Sequence, residues 1–413
     1  MEKIILHSDL NNFYASVECL LNPALKDKEV AVCGKQEDRH GIVLAKNQLA
    51  KKLGVQTGEV IWKAKQKCKN LIIVPPQYEE YLKFSSLVKE IYYRYTDLIE
   101  PFGMDECWLD VTGSKDLLGD GLKIAESIRT TVKKEIGLTV SVGVSFNKIF
   151  AKLGSDMKKP DAITFITKEG FKEQIWNLPA KDLLGVGSAT RRKLDNRYIK
   201  TIGDLASSDP EMLRALLGKN GVDLWKYANG LDKSRVRPFN HFPAPKSIGR
   251  GITCTDDLVN NFEVLQVITE LSQDVSHRLR KNNFLAKGIQ ISIRDSNLFT
   301  REYQTKLSYM TQSYREISNE AFNLFKHRFD MSISIRSITV RAIDLVSAYT
   351  PEQLDIFNNY KKRQKNNTLE MAVESVRAKY GKDSIKLALT MKNLKMPTDR
   401  EHELVIMPSA MYQ

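Results

Sequence analysis

The chain has 413 residues, 42% of them hydrophobic and 27% charged, which excludes a wholly disordered or collagen-like chain. Its 63 Lys and Arg residues outnumber its 50 Asp and Glu residues, and the net charge of +13 indicates a polyanionic partner, most simply nucleic acid. A generally basic soluble protein is the alternative. The five cysteines are scattered and form no Cys-x-x-Cys pair, which argues against disulfides or zinc and favours the reducing cytoplasm. No signal peptide or membrane-spanning run is predicted.

Strand and helix patterns are mixed over residues 1–165, which predicts one α+β unit. Residues 3–8 predict a short buried strand that ends at Asp9, and a helix follows it. A bend at residues 101–103, marked by Pro101 and Gly103, precedes another strand. The other predicted strands are 30–32, 42–44, 71–74 and 139–144, and the other predicted helices are 81–98 and 122–134.

The remainder of the chain divides into three stretches and a tail. Residues 166–235 predict short helices separated by glycines, and residues 236–247, with three prolines, predict an interdomain linker. A small strand-and-helix domain then ends near Leu345. Its predicted helices are 260–280 and 314–329, and its strands contain Ile289, Ile291 and Ile293, and Ile333, Ile335, Ile338 and Val340 with one slip. Residues 346–413 form a polar tail whose basic run, 361–367, predicts a solvated or disordered segment.

Three carboxylates are the strongest candidates for chemistry. Asp9 ends an apolar strand, and Asp105 and Glu106 follow the bend at residues 101–103. Oxygen ligands of this kind suit Mg²⁺ bound for phosphoryl transfer. Neighbours on a regular strand point to opposite faces, so Asp105 and Glu106 share a site only if the bend redirects one of them. A solvated turn is the alternative interpretation of this pair.

Four segments, in this order, resemble motifs of the Y-family DNA polymerases, the lesion-bypass enzymes that include polymerase IV and UmuC-like proteins. Ser8–Glu18, continued by Asn22–Leu25, resembles the first metal motif, and Met104–Asp110 the second. Gly143–Pro160 is similar to the third motif, and Lys246–Arg250 to the entry of the little finger domain. Several long motifs in the correct order are far more specific than any one of them.

The resemblance implies an α+β multidomain fold shaped like a right hand. It would contain a palm, small fingers, a helical thumb with a helix-hairpin-helix, and an α/β little finger. The implied boundaries are palm 1–10 and 76–165, fingers 11–75, thumb 166–235, linker 236–247, little finger 248–345 and a tail, 346–413, with a clamp-binding motif.

The resemblance also implies roles in the active site. Asp9, Asp105 and Glu106 would be catalytic and hold two Mg²⁺ ions, with the Leu10 carbonyl as a backbone ligand. The ring of Tyr14 would exclude the 2′-hydroxyl of a ribonucleotide. The other residues expected at the incoming deoxynucleoside triphosphate are Phe13, Gln48, Lys51 and Lys159.

This chain departs from the family pattern at several positions. Gln48 and Lys51 stand where many members have Tyr and Arg, and lysine keeps the charge but loses the bidentate fork. Gly103 replaces a common Ser, and Leu44 lies where smaller residues are frequent. The lesion spectrum, fidelity, exact branch and need for an accessory subunit therefore stay open.

Primer-template DNA is the expected macromolecular substrate. Gly185, Val186 and Gly187, followed by a basic helix, resemble the hairpin of a helix-hairpin-helix, whose backbone N–H groups bind a phosphate without reading sequence. Ordinary turns are the alternative. Arg294, Arg336 and Arg341 lie on or beside little finger strands and would contact template phosphates, or else form solvated strand edges.

The tail contains a pentapeptide that resembles the bacterial sliding-clamp-binding motif. Gln353 would bond at the groove rim, and Leu354, Ile356 and Phe357, with Asp355 between them, would fill an apolar groove on the clamp. The chain is expected to act as a monomer. The sequence thus predicts an error-prone, template-directed DNA polymerase. A non-catalytic DNA-binding or clamp scaffold and a nucleotidyl cyclase with a related palm are the alternatives.

Overall fold

In the computed structural model of the chain, the structure describes residues 2–35, 39, 41–239, 241, 244–351, 360–391 and 394–397. The chain divides into two compact units. Of the described residues, those within 2–34 and 42–241 form the first unit, and residues 35, 39 and 41 together with those within 244–397 form the second. The finer boundaries between palm, fingers and thumb stay predictions.

The strands of the described residues are numbered in chain order. They are β1 (Ile5–Leu10), β2 (Val30–Cys33), β3 (Val43–Lys46), β4 (Ile72–Val74), β5 (Ile99–Pro101), β6 (Glu106–Asp110), β7 (Val140–Ser145), β8 (Ile163–Ile166), β9 (Ser247–Leu258), β10 (Phe284–Asp295), β11 (Thr300–Thr311) and β12 (Ile335–Ser347).

The α-helices are numbered in the same way. They are α1 (Phe13–Leu21), α2 (Gln48–Lys52), α3 (Ile61–Lys67), α4 (Tyr78–Tyr93), α5 (Lys115–Leu118), α6 (Gly121–Ile136), α7 (Lys148–Met157), α8 (Phe171–Ile175), α9 (Ser188–Asp195), α10 (Ile202–Ser207), α11 (Pro210–Leu217), α12 (Lys219–Ala228), α13 (Asn261–Lys281), α14 (Tyr314–Arg328) and α15 (Tyr360–Tyr380). Short 3₁₀ turns occur at Pro23–Leu25, Thr112–Ser114, Ala180–Asp182, Lys382–Ser384 and Ala388–Thr390.

A five-stranded sheet in the order β5-β6-β1-β7-β8 forms the centre of the first unit. Strand β1 pairs antiparallel with both β6 and β7, and all six of its residues are buried. Its two faces pack against different cores. Leu6 and Leu10 meet side chains of α4 and α6, whereas Ile5 meets α7. Because both faces are buried, the strand begins with consecutive apolar residues, Ile5 and Leu6, instead of alternating apolar and polar side chains.

Two smaller assemblies complete the first unit. A three-stranded sheet in the order β3-β2-β4 packs with α2 and α3 around a core that contains Val43 and Ile61. The short helices predicted for residues 166–235 are α8 to α12, and they share a core with α7 through Phe150 and Leu153. That core attaches this helical region to the same helix that packs on β1.

The second unit is a four-stranded antiparallel sheet in the order β11-β10-β12-β9, with α13 and α14 packed on one face. The predicted slip between Ile335 and Ile338 is a β-bulge in β12 that shifts the register between Ile335 and Ser337. Strands β9 and β11 were not predicted. Strand β11 lies at the sheet edge and is mostly exposed. Its Tyr303, Leu307 and Tyr309 alternate with polar residues, a usable strand signal that the sequence analysis missed.

The basic run in the tail is helical, so the prediction that it could be disordered is wrong. It lies in α15, whose Glu370 is buried and ion-paired with Arg280 of α13. Further along, Lys382 reaches Asp274 of α13 at 2.8 Å. The described tail therefore packs on the second unit, and α15 covers polar side chains of α13 that would otherwise face solvent.

All five cysteines are free thiols, and four of them are buried. Among the helices of the described residues, none combines the length and apolarity needed to cross a bilayer.

Candidate active site

Two of the three candidate carboxylates face each other across adjacent strands. Asp9 on β1 is the direct antiparallel partner of Glu106 on β6. Directly opposed residues have Cβ atoms about 5 Å apart on the same face of the sheet. Asp9 is 4% exposed, so the register alone brings two acidic groups together in a poorly hydrated place.

The third carboxylate, Asp105, lies in the bend just before β6. Gly103 has a φ of 93°, a conformation that favours glycine, and the Phe102 N–H donates to the Glu106 carbonyl at 2.8 Å. The Asp105 carbonyl accepts from the Leu10 N–H at 2.9 Å, which fixes the bend to β1. Asp105 lies outside the strand, so strand alternation does not separate it from Glu106.

The three carboxylates affect one another's protonation. Burial, and then the charges of Glu106 and Asp9, raise the pKa of Asp105 to about 7. Burial and the charge of Glu106 also raise the pKa of Asp9. Burial would raise the pKa of Glu106 as well, but a hydrogen bond from His7 and the charge of Lys152 lower it to about 2. The negative charge of the carboxylates exceeds the positive charge beside them, and the raised pKa of Asp105 is the clearest sign of this excess.

Helix α7 covers this site because two glycines let it approach the sheet. A Cβ on Gly143 of β7 would lie 1.9 Å from the Ala151 carbonyl oxygen, and the Cβ of Gly154 would lie 3.2 Å from the Gly143 Cα. The helix begins at an Asn147 cap, whose side chain accepts from the Phe150 N–H at 2.8 Å. The residues on its buried face are thereby held against β1 and β6.

Two lysines, Lys152 in the middle of α7 and Lys159 just after its end, neutralise part of the acidic site. Lys152 Nζ lies 3.3 Å from Asp9 Oδ2 and 2.8 Å from Glu106 Oε2. Lys159 Nζ lies 2.7 Å from Asp9 Oδ2. Both lysines also contact Asp156, at 3.1 and 2.8 Å. Burial alone would lower the pKa of Lys152, but Glu106 and Asp9 outweigh that effect and raise it.

His7 lies beneath the carboxylates. Its Nε2 is 3.2 Å from Glu106 Oε2, and its Nδ1 is 2.8 Å from Ser155 Oγ on α7. The ring is completely buried, and burial lowers the pKa of His7, which favours a neutral imidazole. The imidazole packs beside Glu106 and limits the space available to that carboxylate.

Tyr14 projects from α1 into the same region. Its ring stacks on Tyr81 with centroids 4.2 Å apart, and its hydroxyl lies 3.8 Å from Met104 Sδ. Burial and the nearby Asp105 raise the pKa of its hydroxyl above the usual range. Phe13 is only 3% exposed and belongs to the core, so its ring supports Tyr14 from behind rather than facing solvent.

Gln48 and Lys51 lie on α2, next to the three-stranded sheet. Asn47 caps this helix by accepting from the Ala50 N–H at 3.0 Å. Gln48 is half-buried and Lys51 is exposed. In the described part of the chain, no ion pair joins Lys51 to the three carboxylates, so its predicted contact with phosphate stays a prediction.

The Gly185–Gly187 segment leads into α9 as predicted for a phosphate-binding hairpin. Gly185 has a φ of 93°, and Gly187 occupies the cap position without a side-chain hydrogen bond to the helix N-terminus. Val186 is buried in the helical core and anchors the turn. The first N–H groups of α9 therefore lack a side-chain cap, which suits an anionic ligand.

Two of the three candidate arginines in the second unit share one sheet face. Arg294 on β10 pairs with Ser337, and Arg341 on β12 pairs with Gln290 and donates to its side chain at 2.8 Å. These positions alternate with buried isoleucines that face α13 and α14, so both arginines lie on the helix-free face. Arg336 lies in the β-bulge instead. The predicted clamp-binding residues 353–357 lie outside the described residues.

His7, Lys152 and Asp156 are site residues that the sequence analysis missed. His7 is two residues before Asp9, and such spacing on a strand puts both on one face. Lys152, Asp156 and Lys159 are separated by four and three residues. That helical spacing was a usable signal for one acidic-basic cluster.

The donor set fits divalent cations. In the described part of the chain, no three His, Cys, Asp or Glu side chains form a ready-made ligand shell. The ammonium group of Lys152 lies between Asp9 and Glu106 and occupies the place where a cation would bind. Carboxylate oxygens, a nearby backbone carbonyl at Leu10 and a deficit of positive charge are what Mg²⁺ sites require.

Comparisons with known proteins identify the family. Residues 8–156 match the model of the impB/mucB/samB family, and residues 245–356 match the model of its C-terminal domain. DNA polymerase IV of Acetivibrio thermocellus is 50% identical over 95% of this chain and 98% of its own length. DNA polymerase IV 1 of Bacillus subtilis is 36% identical over 94% of each chain.

A solved Y-family DNA polymerase chimera has the same fold. It superposes with a TM-score of 0.74 at 26% identity, over 83% of this chain and 99% of the chimera. Identity of this extent over nearly the whole length, together with the fold, confirms the resemblance in the motifs. The chain belongs to the Y family of translesion DNA polymerases and is a DNA-directed DNA polymerase.

Proposed function

We propose that the chain adds deoxynucleotides to a primer 3′-hydroxyl by phosphoryl transfer at the Asp9–Asp105–Glu106 site. The observation that carries this proposal is the register that opposes Asp9 and Glu106, with Asp105 brought beside them by the Gly103 bend. Asp9, Asp105, Glu106 and the Leu10 carbonyl would hold two Mg²⁺ ions. Bound there, the ions would supply activation of the attacking hydroxyl and neutralisation of the leaving phosphate.

The chain's own residues would position the nucleotide. Lys159, whose Nζ is 2.7 Å from Asp9 Oδ2, would contact the triphosphate beside the carboxylates as a compact cation. Tyr14 is held by its stack on Tyr81, so its ring cannot easily yield to a ribose 2′-hydroxyl. Gln48 and Lys51 would contact the phosphates from α2, and Phe13 would support Tyr14.

DNA would be held mainly through its backbone. The uncapped start of α9 at Gly185–Gly187 would bind one phosphate, and Arg294 and Arg341 would meet others on the open sheet face, with Arg336 at its bulge. Such contacts do not read sequence, which suits an enzyme that copies damaged templates. We further propose that residues Gln353–Phe357 bind a bacterial sliding clamp and that the polymerase acts as a monomer in the cytoplasm.

Primer extension tests the central proposal. Wild type and the Asp105→Ala/Glu106→Ala variant are compared on an undamaged template with Mg²⁺ and the four deoxynucleotides, and then on a template with an abasic site. We expect extension by wild type only, with DNA binding retained by both proteins. Extension by the variant would refute the metal assignment. Failure of both to extend, with DNA binding intact, would favour the scaffold alternative.

The clamp proposal needs a separate test. Replacing Leu354 and Phe357 together with alanine should weaken binding to a bacterial sliding clamp, because both are predicted to fill its apolar groove. Extension of short primers without the clamp should not change. Equal clamp binding by the variant and wild type would reject the motif.

A further inference from the structure

Lys152 has a position that the proposed reaction does not explain. Its ammonium group is within 3.3 Å of Asp9 and 2.8 Å of Glu106, and its side chain is 12% exposed. Both carboxylates are proposed metal ligands. A cation of the protein itself therefore occupies the space between them.

We infer that Lys152 is a positioning residue that acts as an internal counter-cation. It would hold Asp9 and Glu106 together before metal binds, and it would transfer to Asp156 when a divalent cation arrives. This inference rests on the proposed function, because it takes Asp9 and Glu106 as metal ligands.

The first part follows from charge. Asp9 and Glu106 face each other on adjacent strands, and like charges directly opposite destabilise a sheet. An ammonium group that contacts both carboxylates turns this repulsion into attraction. The place of Lys152 is fixed by α7, which the Gly143–Gly154 contact holds against the sheet.

The second part follows from competition for the same oxygens. A divalent cation bound to Asp9 Oδ2 and Glu106 Oε2 would lie close to the Lys152 ammonium and repel it. Asp156 is one helical turn from Lys152, and its Oδ2 is already 3.1 Å from the ammonium group. Asp156 is 44% exposed and can follow a rotating lysine, so α7 need not move.

If Lys152 competes with metal for the carboxylates, removing its charge should strengthen metal binding, which a purely structural role would not predict. Lys152→Met keeps the length of the side chain but removes its charge, so metal should bind more tightly, by roughly tenfold. Asp156→Asn removes the alternative partner of Lys152, so metal should bind several-fold more weakly. Lys152→Arg keeps the competing charge and should stay close to wild type.

The test is a titration of the full-length, EDTA-stripped proteins with Mn²⁺ alone, without DNA or nucleotide. Free hexaaqua Mn²⁺ is followed by electron paramagnetic resonance, and circular dichroism verifies that each variant is folded. Lys148→Met is the matched control. Lys148 is also a buried, ion-paired lysine of α7, but its partners are Glu100 at 2.8 Å and the Trp108 ring.

The inference is supported if Lys152→Met binds Mn²⁺ more tightly while Lys148→Met does not. Unchanged or weaker binding by Lys152→Met overturns it, as does equally tight binding by both methionine variants. If Lys152→Met does not fold, the asparagine variant decides, because unchanged or tighter binding by Asp156→Asn also overturns the inference. Asp9→Asn tests the metal assignment separately. If this variant binds Mn²⁺ as tightly as wild type, Asp9 is not a metal ligand.

Discussion

Gly143→Ala tests how α7 reaches the catalytic strand. The added Cβ would lie 1.9 Å from the Ala151 carbonyl oxygen and 2.5 Å from the Ser155 amide nitrogen. An ordinary carbon contact needs about 3.5 Å, so the helix must withdraw by roughly 1.6 Å. The clashing atoms belong to the backbone, so no change of rotamer relieves them.

The cost should therefore reach the upper end of overpacking, about 3 kcal/mol of the free energy of unfolding. For a unit of this size, that corresponds to a fall in Tm of roughly 6–12 °C. The same movement would draw Lys152 and Ser155 away from Glu106 and His7, so primer extension should also fall. We would measure Tm by calorimetry of the full chain and extension under single-turnover conditions.

Gly113→Ala is the control, because a Cβ at Gly113 meets no atom within 4 Å. It should change the free energy of unfolding by less than about 0.5 kcal/mol. If Gly143→Ala is as stable as this control, the close packing of α7 on β7 is wrong. The argument that glycine delivers Lys152 to the carboxylates would then fail with it.

Three further results are expected. Tyr14→Ala should raise ribonucleotide incorporation at least about tenfold, since an enforced clash of the ring with the 2′-hydroxyl is worth more than 1.4 kcal/mol. The measurement is the ratio of ribonucleotide to deoxynucleotide incorporation. Tyr81→Phe keeps the supporting ring and should not change this ratio. Glu370→Ala should cost about 3 kcal/mol of stability because it leaves buried Arg280 short of a partner at 2.5 Å, whereas exposed Leu369→Ala should be nearly neutral in urea unfolding. In EDTA, the stability that Asp105 contributes should fall as pH rises from about 4 to 7, because its folded pKa of about 7 exceeds the ordinary 3.8. Asp105→Asn should remove this pH dependence of the thermal unfolding temperature. An unchanged pH dependence would contradict the assignment.

The sequence was informative about the active site because its strands are buried and its motifs are long. Three elements were predicted within a few residues of their observed limits, namely strand β1 with Asp9 near its end, helix α6 and strand β7. What no single segment contains is the pairing of segments. The register that opposes Asp9 and Glu106, and the helix approach that brings Lys152 to both, depend on contacts between residues 46 to 143 positions apart.

Helix α15 was missed because it is only weakly amphipathic and gains stability from tertiary contacts rather than from local pattern. The basic residues near the start of α15 suggested a solvated or disordered segment. Most of that run is exposed, but the segment is helical, and Arg363 contacts Glu316 of α14 while Glu370 pairs with Arg280. Ion pairs to another element cannot be inferred from the charge of one segment.

The charge distribution combines two opposite requirements. The whole chain carries +13, which attracts a polyanion, yet the active site collects the four acidic residues Asp9, Asp105, Glu106 and Asp156 against Lys152 and Lys159. Divalent cations would supply the missing charge at that one place. In the described part of the chain, Asp105 forms no ion pair with a lysine, and burial, followed by the charges of Glu106 and Asp9, raises its pKa to about 7. A site that is incompletely neutralised by its own lysines should favour divalent cations over a phosphate arriving alone, so nucleotide would bind productively only together with metal.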